Sequence, residues 1–122
     1  MLIRACDPQS TTPVTMEGAH GVTMQVMVGR EDAAPNFAMR HFVVEPGGQT
    51  PRHQHPYEHE VYIAQGRFEV FCDGKTDTAT AGDVLLIPSD TLHQFINTGD
   101  TPGRFLCLVP LESDCGQEVP GS

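Results

Sequence analysis

The chain has 122 residues, 39% of them apolar, and carries 7 basic against 16 acidic side chains for a formal charge of -9. That length holds one domain with one core and leaves no room for two of ordinary size. The basic residues, six arginines and Lys75, are scattered rather than clustered, so nucleic acid and anionic membrane surfaces are excluded as partners.

Residues 1–20, with Pro8, Pro13 and the tract Gln-Ser-Thr-Thr, read as an irregular N-terminal arm, either packed on a neighbouring subunit or loose. The opening MLIRACDPQS lacks the apolar stretch of a signal peptide, and the longest apolar run, LCLVPL at 106–111, is far short of a membrane span. A cytoplasmic location is expected. HGVTMQVMVG (20–29) carries Val22, Met24, Val26 and Val28 at period two, the pattern of a strand with one buried face. FAMRHFVVEPGG (37–48) reads as a strand ending in a Pro-Gly-Gly turn. The stretch 59–83 reads as a strand, a Gln-Gly turn, a second strand and a hairpin turn at Asp73-Gly74. DVLLIPSD, LHQFIN and GRFLCLVPL supply three more short strands, and SDCGQEVPGS at the end reads as a flexible tail over 113–122. Short antiparallel strands at this spacing indicate an all-β sandwich or barrel with its core over about 22–111. Cys6, Cys72, Cys107 and Cys115 form no CxxC pair, which argues against a disulfide framework or a zinc knuckle.

Chemistry is concentrated in HQHPYEHE, residues 53–60. His53 and His55 stand two apart, so on an extended chain they leave the same face about 6.6 Å apart and two imidazoles can converge on one ion. Pro56 and Tyr57 bend the chain, His59 opens the next strand, and His93 arrives from a distant one. If His59 faces the interior, so do Val61 and Ile63, and Glu60 faces the other way with Tyr62; beyond His93, Phe95 and Asn97 share its face. Glu58, Glu60 and backbone carbonyls are candidate acceptors for the second ring N–H of each ligating histidine. His20 and His41 have no spaced partner and read as ordinary residues. Arg40 reads either as a solvated strand arginine or as a positive group for a substrate carboxylate.

GGQTPRHQHPYEHEVYIAQG resembles the first motif of the cupin superfamily: Gly47, five residues, His53, one residue, His55, three residues, a ligand slot at 59, six residues, Gly66. GDVLLIPSDTLHQFIN resembles the second, with Gly82, Pro88, His93 and Asn97 in place. The resemblance implies an antiparallel double-stranded β-helix, or jelly-roll, barrel. Two departures stand out: His59 fills a slot where glutamate is commoner, and Asp90 replaces a glycine. Sliding the motif by one residue would make Glu60 the ligand, but the six-residue spacing to Gly66 and the strand parity favour His59. Together with APNFAMR, VEPGG and FLCLVP, the pattern is similar to small single-domain cupins with four-histidine sites, some of which bind manganese. That likeness implies one divalent transition ion on His53, His55, His59 and His93, manganese first and iron, zinc, nickel or copper as alternatives. It also favours Phe105, Cys107 and Val109 as inward residues of the last strand, next to Val61, Ile63 and Phe95 around a small-molecule pocket.

Four neutral imidazoles leave a divalent centre at +2, and an octahedral ion would keep two open positions. The expected function is a metal-dependent oxidoreductase of dioxygenase type acting on a small, partly apolar oxygenated compound. A non-catalytic metal or small-molecule binding module and a metal-dependent isomerase are the alternatives. Cys107 has two readings, a thiol near the metal open to oxidation and a small buried hydrophobe. Sheet edges left open by such a fold favour a homodimer.

Overall fold

The computed structural model describes residues 1–114. The tail expected over 113–122 lies outside the described residues except for its first two, which belong to a short helix, α1 (Leu111–Asp114); Cys115 lies outside as well. Nine strands run along the described residues: β1 (Thr12–Pro13), β2 (His20–Val28), β3 (Phe37–Gln49), β4 (His59–Gln65), β5 (Arg67–Cys72), β6 (Lys75–Thr80), β7 (Val84–Ile87), β8 (His93–Asn97) and β9 (Gly103–Pro110). Every pairing among them is antiparallel, in the order β6-β5-β8-β3-β9-β4-β7, with β2 on the flank of β3 and β1 on β2. The result is a curled all-β sheet of the jelly-roll barrel type expected from the sequence. No helix among the described residues is long and apolar enough to cross a membrane.

Three local features depart from the alternation read in the sequence. Pro46-Gly47-Gly48 does not end a strand: β3 continues to Gln49. Its partner steps from Val22↔Val44 to His20↔Gln49, so β3 carries a bulge there and turns from β9 toward β8, pairing Gln49 with Ile96. Gly48 is required at this bend, because a Cβ would lie 2.6 Å from the His20 carbonyl oxygen. On β2, a second register shift between Val26 and Val28 breaks the period-two face, so that Met27 is buried and Val26 is exposed. Gln65-Gly66 is a crossover rather than a hairpin, since β4 pairs with β7 and β9 while β5 pairs with β6 and β8.

The N-terminal arm lies along its own chain. β1 pairs with β2, and Arg4 donates to the Met27 carbonyl and forms an ion pair with Asp32 at 3.0 Å. The Asp73-Gly74 hairpin between β5 and β6 is formed as expected, with both residues at positive φ.

Strand register stacks the inward side chains in levels. At one mouth, His59 stands opposite Ile87, and Ala38 opposite Val109; one level in, Arg40 and Val61 flank Cys107; below that, Phe42 and Ile63 flank Phe105. Phe105 stacks on Phe42 at 4.9 Å and on Phe95 at 4.7 Å, with Phe68 edge-on at 5.5 Å. These four fully buried rings close the far end of the core and stabilise it by roughly 2 kcal/mol each.

Candidate metal centre

Backbone pairing brings the histidines together before any side chain does. Beyond β3, Thr50 exchanges hydrogen bonds with Phe95, and His53 and His93 exchange both backbone bonds, at 3.0 and 3.2 Å. Gln94 ties the same two segments by donating from its side chain to the Thr50 carbonyl at 2.9 Å. The ligand atoms of His53, His55 and His93 all lie within 4.8 Å of one another. His59 falls outside that mutual set, yet its Nε2 is 2.7 Å from Nε2 of His55 and its ring centroid is 5.2 Å from that of His93. Nitrogens sharing one ion at about 2.1 Å each are separated by about 3–4 Å, so this spacing suits a single ion among the rings. His59 and His93 are fully buried.

The outer ring nitrogens set the tautomers. Nδ1–H of His55 donates to the Tyr57 carbonyl at 3.0 Å, and Nδ1–H of His93 donates to the Thr91 carbonyl at 2.9 Å, which leaves Nε2 of each ring as an acceptor. Nδ1 of His59 meets Sγ of Cys107 at 3.1 Å. The partners of these outer nitrogens are therefore carbonyls and a thiol, not Glu58 or Glu60, both of which are exposed. Nδ1 of His53 is buried without a hydrogen-bond partner. An orphaned buried nitrogen beside two Nε2 atoms that face each other at 2.7 Å fits a site whose lone pairs await a cation.

Burial, with repulsion from neighbouring rings and Arg40, lowers the pKa of His53 and of His55 to about 4, and pushes His59 down further still. These imidazoles are neutral at physiological pH, as metal ligands must be. Burial also raises the Cys107 thiol to about 11, outweighing the attraction of Arg40, so Cys107 stays protonated near neutrality.

Val61, Ile63, Phe95, Phe105 and Val109 are all buried, 2% exposed or less, and belong to one packed cluster with Cys107. Val109 lies at the histidine level and Val61 one level in, whereas Phe95 and Phe105 are stacked core. Glu60 points outward, as strand parity requires, and lines a cleft of about 390 Å³ with Phe37, Glu58, Leu108, Val109 and Pro110. Arg40, for which a solvated position was one reading, is 0% exposed. His41 is buried on the opposite face of β3, where its Nε2 accepts from Arg104 at 3.0 Å.

Tyr57 does more than bend the chain. Its ring stacks on His55, centroids 3.9 Å apart and planes at 5°, which fixes the plane of a candidate ligand; an aromatic two residues after a histidine was the signal. Asp90, in the slot where the resembling family has glycine, adopts φ 61°, a left-handed conformation that aspartate tolerates.

The family model described as "Cupin domain" matches residues 40–109. Among curated proteins, SchB of Streptomyces halstedii is 45% identical over 65 residues, 52% of this chain and 47% of that protein. The chain thus spans about half the length of the first curated relatives it matches. The "Oxalate-binding protein" of Thermotoga maritima is 29% identical over 114 residues, 91% of this chain and 94% of that one. Among solved structures, the polyketide cyclase RemF from Streptomyces resistomycificus superposes with a TM-score of 0.80 at 27% identity, covering 90% of this chain and 80% of that one.

Proposed function

The chain belongs to the cupin domain family, and on that premise we propose that it is a metal-dependent oxidoreductase of dioxygenase type acting on a small, partly apolar oxygenated compound. His53, His55, His59 and His93 hold one divalent transition ion, manganese in this reading, although the donor set also suits iron, zinc, nickel or copper. When bound, such an ion supplies Lewis-acid polarisation of a substrate oxygen and, for a redox-active metal, electrons for dioxygen. The chain's own residues do the rest. Carbonyls of Tyr57 and Thr91 hold His55 and His93 in the tautomer that turns Nε2 inward, Cys107 anchors the outer nitrogen of His59, and the apolar residues beneath exclude water. The reading is carried by the convergence of neutral imidazoles in an interior whose described buried polar residues include no carboxylate. Such a centre keeps its full charge and has no internal general base, which favours redox over hydrolytic chemistry.

A second reading, isomerisation or ring closure without oxygen uptake, is favoured by the likeness to RemF, a polyketide cyclase. In either case the partners are a small molecule and a second copy of the chain, and the free thiols Cys6, Cys72 and Cys107 suit the reducing cytoplasm. The test is loading with manganese or iron under anaerobic conditions, followed by oxygen uptake against diketones, enols and alkenes. Metal-dependent uptake supports the oxidoreductase. Substrate consumption without uptake supports the isomerase, and tight ligand binding without turnover leaves a binding module.

A further inference from the structure

Among the described residues, Arg40 is a buried cation with no anion beside it. It is 0% exposed; its Nη2 reaches only Sγ of Cys107, at 3.8 Å, and its guanidinium lies 5.6 Å from the Phe42 ring centroid. Its Nε and Nη1 are buried without a hydrogen-bond partner. No Asp or Glu occurs among the described buried residues, and the one ion pair among described residues is Arg4–Asp32 at the surface. Arginine does not shed its proton, and its one polar side-chain contact among the described residues is a sulfur rather than a carboxylate. A buried, unpaired charge is costly, and the histidine side chains one level away bring no negative charge to offset it. A divalent ion there would add two more charges of the same sign.

Strand register directs this charge. Arg40 stands opposite Cys107 on β9, and Cys107 touches His59, so the guanidinium lies one side chain from the histidine cluster. We infer that Arg40 is the anion anchor of the site and that the ligand is a small carboxylate, its carboxylate on the free guanidinium donors and its adjacent oxygen toward the histidines. The assignment takes the histidine cluster as the ligand site, as in the proposed function, but names the substrate class independently of the reaction.

The test compares pyruvate with diacetyl, which share a methyl ketone and differ in carboxylate against neutral acetyl, by calorimetry on the manganese-loaded protein. Pyruvate is expected to bind about 10- to 100-fold more tightly. Arg40→Met should abolish that preference by weakening pyruvate binding. Without ligand, Arg40→Met should also melt at a higher temperature than the parent, because a misplaced charge is removed; a purely structural arginine would give a lower one. Should Arg40→Met fail to fold, Arg40→Gln carries the same comparison. Equal affinity for both probes in the parent, or a preference that survives the substitution, overturns the assignment. Failure of the parent to bind manganese, with pyruvate preference intact in the metal-free protein, overturns the metal reading and leaves the anchor standing.

Discussion

His59 and Glu60 are adjacent, and only one of them faces the other histidines. Strand parity puts His59 inside, 2.7 Å from His55, and Glu60 on the outer cleft. His59→Ala should therefore lower metal affinity at least about tenfold, and Glu60→Ala should leave it unchanged, as measured by competition with a chelator. The reverse result would shift the ligand register by one. Acid dependence follows from the depressed histidine pKa values. Between the ordinary value of about 6.5 and the folded value of about 4 for His53 and His55, the unfolded chain binds more protons than the folded one. Metal-free stability is thus complete above that ordinary value and is lost as the pH falls from it toward 4. The melting temperature should drop over this window, and His53→Ala should flatten the drop. These ligand candidates were legible in the sequence because spacing and parity are local. The isolation of Arg40 was not, because the lack of a partner depends on every strand that packs around it.

At the scale of elements, the close approach of β5 and β9 depends on a missing side chain. A Cβ on Gly103 would lie 2.5 Å from the Phe68 ring, in the middle of the aromatic cluster. Gly103→Ala should destabilise the fold by about 1–3 kcal/mol, read from denaturant unfolding, with metal affinity unchanged at saturating fold. Strand positions and the Asp73-Gly74 hairpin were readable from alternation and turn residues. The bulges on β2 and β3 were not. Pro46-Gly47-Gly48 looks like a chain reversal, but β3 instead bends and continues with β8 as a new partner; the choice between turn and bulge is made by the neighbouring strand.

Across the whole molecule, the interior is closed by four aromatic rings, and one apolar patch stays exposed on the outer face of β4 and β7. Val84 is 76% exposed and Leu86 61% on the edge strand β7, with Tyr62 beside them on β4. This is the face on which the proposed homodimer would form, since an open apolar edge invites a second copy. Val84→Glu combined with Leu86→Lys should convert the protein to a monomer by sedimentation velocity without altering its melting transition at low concentration. A mass unchanged by the pair would place the interface elsewhere. The barrel class was legible from strand count and motif order, whereas the position of the N-terminal arm was not: nothing in its sequence distinguishes pairing with its own β2 from pairing with a neighbour.

The most direct test of the four-histidine centre is X-ray absorption on the stoichiometrically loaded protein, with a count of imidazole ligands. One ion per chain bound by four imidazole nitrogens at about 2.1 Å is the predicted result. Three imidazoles with a carboxylate oxygen, or no stoichiometric ion, would contradict it.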